Sequence, residues 1–496
     1  MISFFLILNF PNTFLESNID IRARIANSES DSLEALYREW NSLRQYIAKA
    51  YNLTTEGRKK VGIDLDSLEK KAYGLERKMG RLSVKLPSSF QQKTPLDYEH
   101  LKKNLKSDEV FIDFVAWTYY HPIYGVGEKS YSALVIRPDD DYPQWVYLTN
   151  ESTLQKVLKG EVELNGSNYI TDKVEAEYLY ELIWLPIEDL VLDMKHLYLS
   201  PSSLLNKVAF GALLTDYDQG KRLIEDKQIH YFSTLRDFFY TKQEVKKGEE
   251  TADIVLVGGI DFGNTEKDST STQNQSRGHY GAFSYLEGTK KEVDSIQHQF
   301  EHYCWDIQKL EDKNASEEQI KQLGGENAPK ILHVATHGFF IDNKNKSVKA
   351  QNKLETQTHP LMRSGIALSG ANNAWLGKKE LDAHTDDGIL TAYEVSNMDL
   401  HQTNLVVLSA CETGRGDIDN TEGVMGLQRA FKIAGVDQMI ISLWKVPDKQ
   451  TYELMTFFYD NYLRGDTAHQ AFQKAQQKMN KKYENPYYWA AFVLIE

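Results

Sequence analysis

The spacing of apolar residues divides the chain into a helical first part and a longer part in which strands and helices alternate. Between residues 31 and 83, apolar side chains recur every three or four positions, as at Leu33, Leu36 and Trp40. This spacing is typical of amphipathic helices, and two glycines near the middle of the stretch indicate a turn. The pattern therefore predicts a helical hairpin over about 31–83.

From residue 109 onward, short runs rich in β-branched and aromatic residues predict strands. The runs in the second half of the chain are continuously apolar, which is typical of strands covered on both faces of a parallel sheet. The predicted strands are 109–117, 131–136, 145–148, 196–200, 252–261, 330–336, 404–410 and 438–443. The predicted helices are 174–192, 286–302, 422–434, 448–463 and 466–482. This alternation predicts the α/β fold class, with a mostly parallel sheet and flanking helices.

Composition and charge limit the class of protein and its partners. The chain has 496 residues, of which 41% are hydrophobic and 26% charged, so it is long enough for several folded domains. The formal net charge of −14 argues against binding to nucleic acid or to an anionic membrane surface. Two cysteines, Cys304 and Cys411, cannot build a disulfide framework and indicate a reducing compartment. The apolar run over 2–10 is too short to span a membrane, so we expect a cytoplasmic protein.

Two predicted strands end in residues that can carry out chemistry. Strand 404–410 is followed by Cys411 and a glycine-rich turn, and strand 330–336 is followed by His337 and Gly338. In parallel α/β sheets, ligands bind beyond the carboxyl ends of the strands, so the two side chains suggest a thiolate–imidazole pair. Each also has a simpler interpretation, since a lone cysteine is often a buried small residue and a strand-end histidine is often only hydrogen-bonded.

Two other kinds of site fit the sequence poorly. His333 and His337 are four residues apart on a predicted strand, a span of about 13 Å that is too long for one shared metal ion. His333 lies deeper in the strand and is predicted to be a core residue. A cysteine phosphatase would need an arginine at position 417, where Asp417 would repel a phosphate. We therefore expect neither a metal site nor a cofactor.

Several motifs occur together along the chain. They are 199–213 (LSPSSLLNKVAFGAL), 332–338 (LHVATHG), 360–368 (PLMRSGIAL), 405–414 (LVVLSACETG), 422–431 (EGVMGLQRAF), 442–448 (SLWKVPD) and 487–492 (YYWAAF). Taken jointly, they resemble the CHAT family of caspase-like cysteine peptidases, which belongs to peptidase clan CD.

The resemblance covers roughly 100–496 and implies a division into domains. It implies a caspase-like sheet in a catalytic half over 249–496, preceded by a non-catalytic, pseudo-protease α/β subdomain over 101–248. Residues 1–100 would then form an N-terminal helical region that contains the predicted hairpin.

The resemblance also implies a function and roles for particular residues. Cys411 would be the nucleophile and His337 the proton donor and acceptor, while backbone N–H groups of Gly338 and Cys411 would form the oxyanion hole. The implied activity is that of a cysteine endopeptidase acting on a protein substrate, in a regulated bacterial protease with a role in self-defence. Two alternatives stay open, a catalytically silent scaffold and a protease controlled by a protein partner that docks on the N-terminal helices.

Substrate preference is expected to depend on residues at neighbouring strand ends. The ends 258–261 and 442–448 are expected to flank Cys411, and they offer Asp261, Trp444 and Asp448. Buried acids there would favour Arg or Lys before the scissile bond. A simpler role for Asp448 is to cap a helix that starts at the next residue.

Overall fold

A computed structural model of the chain describes most of the residues after position 30. Cys411 and its glycine-rich turn and the apolar N-terminal run lie outside the described residues. So does most of 263–283, a segment rich in Asn, Ser, Thr, Gln and Gly that the sequence predicts to be a surface loop. The described residues are 31–51, 53, 55–83, 98–121, 125–159, 170, 172–243, 252–263, 282–341, 359–376, 386–410, 416–419 and 423–496.

The strands of the described part form one large sheet and three small ones. They are β1 (Glu109–His121), β2 (Gly125–Ile136), β3 (Gln144–Asn150), β4 (His196–Ser200), β5 (Leu214–Asp216), β6 (Lys221–Arg222), β7 (Gln228–Tyr231), β8 (Asp253–Ile260), β9 (Asp306–Asp312), β10 (Ile331–Thr336), β11 (Gly338–Phe340), β12 (Ser364–Ala367), β13 (Ile389–Thr391), β14 (Leu405–Ala410), β15 (Gly416–Asp419), β16 (Gly423–Gly426), β17 (Gln438–Ser442) and β18 (Phe492–Ile495). The large sheet has 11 strands in the order β3-β2-β1-β4-β7-β18-β17-β14-β10-β8-β9.

Helices of the described part pack around this sheet, and the first four of them precede it in the chain. They are α1 (Asp31–Tyr51), α2 (Thr55–Lys60), α3 (Leu65–Ser83), α4 (Tyr98–Lys103), α5 (Glu151–Lys159), α6 (Lys173–Ile183), α7 (Leu185–Val191), α8 (Leu223–Asp226), α9 (Leu235–Gln243), α10 (Glu287–Phe300), α11 (Glu317–Lys321), α12 (Asn372–Trp375), α13 (Ala392–Val395), α14 (Leu427–Ala434), α15 (Asp448–Leu463) and α16 (Ala468–Lys482).

Burial on both faces explains why the strands in the second half of the large sheet are continuously apolar. Strands β17, β14, β10, β8 and β9 run parallel to one another. Every residue of β10 and β14 is buried, because helices such as α10 and α15 cover the sheet where an alternating strand would face water. The predicted fold class, α/β with a mostly parallel sheet and flanking helices, is confirmed.

A narrow seam joins the two halves of the sheet. Strand β18 is antiparallel to β17 and meets β7 in parallel at Ile495 and Tyr231. The N–H of Glu496 donates to the carbonyl of Tyr231 at 2.8 Å, and the side chain of Gln473 on α16 donates to the carbonyl of Lys227 at 2.8 Å. The sheet is therefore continuous across the seam, and the division into subdomains near residue 249 stays a prediction.

The predicted N-terminal hairpin consists of α1 and α3. Leu33, Trp40 and Ile47 on α1 are buried, as are Ala72 and Met79 on α3. These residues recur at the spacing of one helical face, so the two helices bury their apolar faces in the core.

Two predicted helices have different bounds in the structure. The predicted helix 174–192 is divided at Trp184 into α6 and α7, because a proline in the first turn of α7 lacks the N–H that would continue the first helix. The predicted helix 422–434 begins only at Leu427, since the residues before it form β16 in a hairpin with β15. None of the described helices is long and apolar enough to cross a membrane.

Candidate active site

The adjacent strands β10 and β14 end at the same level of the sheet. Thr336, the last residue of β10, pairs in register with Ala410, the last residue of β14. His337 follows the first strand directly, and Cys411, which lies outside the described residues, follows the second. Neighbouring strands lie about 4.8 Å apart, so the last residues of the two strands, Thr336 and Ala410, lie side by side.

A backbone carbonyl orients the imidazole of His337. Its Nε2 lies 2.7 Å from the carbonyl oxygen of Ser284, just before α10. A carbonyl oxygen only accepts hydrogen bonds, so Nε2 carries the hydrogen and Nδ1 is the nitrogen that can take up a proton. The sequence named no third member of a triad, because any residue type offers a carbonyl and no side-chain pattern marks it.

Aromatic rings fix the plane of the same imidazole. The ring of His337 lies 5.1 Å from that of Phe262 and 5.4 Å from that of Phe283, measured between centroids. Phe283 in turn packs against Trp375 of α12 at 4.8 Å. This aromatic packing limits rotation of a histidine that is itself only partly buried.

Asn372 holds the segment that carries the orienting carbonyl. Its side-chain oxygen accepts from the N–H of Phe283 at 2.8 Å, and its amide donates to the carbonyls of Phe283 at 2.9 Å and Gly263 at 3.3 Å. The residue is 1% exposed, so each of these bonds replaces one with water. Sequence reasoning missed Asn372, although an asparagine in a short apolar stretch is a signal for a buried amide.

Replacing Asn372 with alanine is expected to slow the chemistry of the site by about tenfold, since the Ser284 carbonyl would no longer be held against Nε2. The measurement is the rate at which iodoacetamide alkylates Cys411. The neighbouring Asn373→Ala is the control, because Asn373 is exposed. Equal rates for both variants, with Asn372→Ala folded, would show that the asparagine does not position the histidine.

Among the described strands, β11 is an edge strand of its small sheet, and it begins directly after His337. The N–H of Ala367 donates to the carbonyl of His337 at 2.9 Å, and the N–H of Ile341 donates to the carbonyl of Arg363 at 2.8 Å. Gly338 is paired in register with Ile366, between these bonded positions. In an antiparallel ladder the intervening residue directs its N–H away from the partner strand. The N–H of Gly338 therefore points to the outer edge of β11 within the described part of the chain.

A small cavity lies at the ends of three strands of the large sheet. It has a volume of about 30 Å³ and is lined by the ends of β10, β14 and β17 and by the first turns of α10 and α15. Trp444 is buried in its wall, and Asp448 stands at its rim. Gly288 and Asp448 also line an open groove of about 700 Å³ outside the cavity. Asp448 therefore borders both the cavity and the groove.

The floor of the cavity carries a buried carboxylate that the sequence analysis did not single out. Glu292 of α10 is 3% exposed and lines the cavity. Its Oε1 lies 3.0 Å from Nε2 of His333, whose Nδ1 lies 3.1 Å from the hydroxyl of Tyr459. His333 is fully buried, so its predicted place in the core is confirmed. An acid on the apolar face of a helix was the available signal for Glu292.

The structure bears out one expectation about the strand ends near Cys411 and corrects another. Strand β17 does pair with β14, so the end 442–448 flanks that position as predicted. The end 258–261 was expected there too, but β8 pairs with β10 and lies one strand farther away. The carboxylate of Asp261 accepts from the N–H of Gly263 at 3.0 Å, which closes a local turn after β8. Its role in substrate binding stays a prediction.

The helix-capping interpretation of Asp448 is wrong. Helix α15 begins at Asp448 itself, its N-cap residue is Pro447, and no side chain makes a capping hydrogen bond there. The side chain of Asp448 is exposed and lies against Gly288, where an added Cβ would come within 2.4 Å of the Cβ of Asp448. Tight contact between the first turns of two helices thus places this carboxylate at the cavity rim.

Away from this site, one group in the described part of the chain has ligand atoms close enough for a metal ion. His230, His469 and Glu496 offer atoms within 4.8 Å of one another. The two imidazoles stack at 3.6 Å with planes 6° apart, and both Nδ1 atoms lie about 3 Å from Oε1 of Glu496. Parallel rings cannot both direct a lone pair at one ion. Burial raises the pKa of Glu496, but hydrogen bonds from both histidines outweigh it and lower that pKa to about 2, so the group is a hydrogen-bonded clamp at the seam.

Solved structures and a curated relative resemble parts of the chain. It is 33% identical to human tetratricopeptide repeat protein 28 over 109 residues, which is 22% of this chain and 4% of that protein. A complex of Porphyromonas gingivalis RgpB pro- and mature domains matches 69% of this chain and 74% of that chain at 10% identity, with a TM-score of 0.35. A Saccharomyces cerevisiae separase–securin complex matches 95% of this chain and 37% of that chain at 10% identity, with a TM-score of 0.42.

The family assignment rests on a longer match. The sequence profile of the CHAT domain matches residues 173–496, which is more than half of the chain. The matched part includes β4, β7, the strands that end just before His337 and Cys411, and the strand ends around the cavity. This chain therefore belongs to the CHAT domain family.

Proposed function

We propose that this chain is a cysteine endopeptidase that cleaves a protein substrate through Cys411 and His337. The observation that carries the proposal is the register of β10 and β14, in which Thr336 and Ala410 are partners and the two proposed catalytic residues come next. The carbonyl behind His337 and the outward N–H of Gly338 add the orienting group and the oxyanion donor that such a site requires.

The proposed reaction uses the two nitrogens of His337 differently. Nδ1 takes the proton of the Cys411 thiol, and the thiolate attacks the carbonyl carbon of the scissile peptide bond. The resulting oxyanion accepts hydrogen bonds from the N–H groups of Gly338 and Cys411. Nδ1 then returns the proton to the leaving amine, and water hydrolyses the thioester with His337 as the base. Throughout, the Ser284 carbonyl holds the Nε2–H and keeps the ring in one tautomer.

The direct test uses proteins whose genes lie near the gene of this chain. Each is compared before and after incubation with the chain. We expect wild-type protein, and not a Cys411→Ala variant, to produce a new pair of peptide termini that mass spectrometry identifies. A chain that binds such a protein without cutting it would support the alternative, a silent CHAT scaffold.

We expect Cys411 to react with iodoacetamide at least tenfold faster than Cys304 at neutral pH, because an imidazolium beside a thiol lowers its pKa. Cys304 is exposed, so the reagent can reach it. The comparison therefore measures reactivity and not access. Peptide mapping after a short pulse provides both rates, and preferential labelling of Cys304 would contradict the proposed pair. Chelators should leave the rates unchanged.

The setting of the protease is part of the same proposal. We infer a non-catalytic part over 101–248, a catalytic part over 249–496 and a cytoplasmic, regulated bacterial protease with a role in defence. A protein partner that activates or inhibits it would dock on the N-terminal helices. The similarity to a tetratricopeptide repeat protein supports a protein partner, since such repeats are helical scaffolds.

A further inference from the structure

Helix α1 contacts the catalytic part at a cluster of buried and partly buried charges. Lys49 near the end of α1 lies 3.1 Å from Oδ1 of Asp386. Lys321 of α11 lies 3.1 Å from the same oxygen and 3.0 Å from Glu394, and it also pairs with Glu317. A second contact lies one turn earlier on α1, where Arg44 donates to Asn397 at 3.0 Å and stacks over Tyr393 at 4.2 Å.

The cluster has fewer positive than negative groups. Four carboxylates, those of Glu317, Asp386, Asp387 and Glu394, surround the ammonium groups of Lys49 and Lys321. Burial and the nearby Glu394 raise the pKa of Asp387 to about 7. Removing Lys49 would leave Lys321 to pair with Asp386 while it also pairs with Glu317 and Glu394, so residue 386 would be held less firmly.

Hydrogen bonds of residues 386–388 connect this contact to the proposed active site. The N–H groups of Asp387 and Gly388 donate to Glu317 at 3.0 and 2.8 Å. Gly388 has a φ of +82°, and a Cβ there would lie 2.5 Å from the carbonyl oxygen of Ser369, so the segment has little freedom to move. The carbonyl of Gly388 accepts from the N–H of Leu368 at 2.7 Å.

The last step of this route ends at His337. Leu368 follows Ala367, the last residue of β12, whose N–H donates to the carbonyl of His337 at 2.9 Å. The hydroxyl of Thr336 donates to the carbonyl of Ala367. Thr336 and His337, at the end of β10, are thus both bonded to Ala367 of β12. The residue after Ala367, Leu368, is bonded to Gly388.

We propose that Lys49 is a positioning residue for the active site: by holding Asp386, it keeps residues 386–388 in place, and these hold His337 through Leu368 and Ala367. The consequence for catalysis rests on the function proposed above. The structural consequence is that the position of the end of β12 depends on helix α1. This part of the inference does not rest on the proposed function.

The test compares Lys49→Met, which removes the charge, with Lys49→Arg, which keeps it. Lys71→Met is the matched control, because Lys71 pairs with Glu39 inside the hairpin at 3.0 Å and not with the catalytic part. Hydrogen exchange followed by mass spectrometry is measured on peptides that span 364–371. We expect about tenfold faster exchange in Lys49→Met, and wild-type exchange in Lys49→Arg and in the control.

A second variant covers the case in which Lys49→Met folds poorly. Asp386→Asn weakens the same contact from the other side, so it should also speed exchange over 364–371. The double variant should be no worse than the stronger single one. Wild-type exchange in a folded Lys49→Met or Asp386→Asn protein would overturn the inference.

Alkylation of Cys411 by iodoacetamide, with Cys304 of the same molecule as the reference, separates this inference from the proposed function. We expect the Cys411 rate to fall about tenfold in Lys49→Met and to recover in Lys49→Arg. If wild-type Cys411 reacts no faster than Cys304 while exchange over 364–371 still responds to Lys49, the proposed protease fails and the positioning route stands. An enhanced Cys411 rate that Lys49→Met leaves unchanged would refute the positioning role alone.

Discussion

Cys411→Ala and His337→Ala are each expected to reduce peptide-bond cleavage by a factor on the order of 10⁴ or more, with the fold intact. The nucleophile and its base act as one unit, so the double variant should be no slower than either single variant. Both residues follow the ends of strands in the sequence, and His337 is only partly buried, so we expect each substitution to change the melting temperature little. The measurement is the cleavage rate of the identified substrate, together with thermal unfolding of each variant.

Matched controls exist for both substitutions. Cys304 and His302 are exposed residues beyond the end of α10, and Cys304→Ala and His302→Ala should cleave at the wild-type rate. His333→Ala provides a contrasting case, because it removes the hydrogen-bond partner of the buried Glu292 and should lower stability. Undiminished proteolysis by a folded Cys411→Ala protein would remove the catalytic assignment altogether.

Asp448→Asn is expected to reduce the preference for Arg or Lys before the scissile bond by about tenfold to a hundredfold. A carboxylate at the cavity rim that meets a substrate cation forms a charge-assisted hydrogen bond that asparagine cannot match. Asparagine keeps the shape of the rim, so residual cleavage after neutral residues should persist. A peptide library that varies the residue before the scissile bond measures the change.

Asp261→Asn serves as the companion variant. Asp261 lies one strand farther from β14, and its carboxylate is engaged with the N–H of Gly263, so we expect a smaller change in preference. Gly288→Ala tests the rim independently, since the added Cβ would push Asp448 aside. A parental preference for a large apolar residue, or an unchanged basic preference in both Asn variants, would refute an acidic substrate pocket.

The sequence by itself determined the elements and the chemical groups at their ends. Continuous apolar runs marked β8, β10, β14 and β17, because strands buried on both faces must be apolar throughout. The same runs placed His337 and the position of Cys411 at strand ends. These features are local, so they can be derived without knowing which strands are neighbours.

The order of the strands and the contacts of the site were decided only by the tertiary structure. Pairing joins residues that are far apart in the chain, and no local pattern showed that β8 lies beside β10 and not beside β14. The carbonyl of Ser284 orients His337 as a backbone group, which carries no residue signature. Glu292 reaches the cavity floor and Lys49 reaches Asp386 because packed helices bring them there. Such contacts depend on the packing of whole elements, and the spacing of residues along the sequence does not encode them individually.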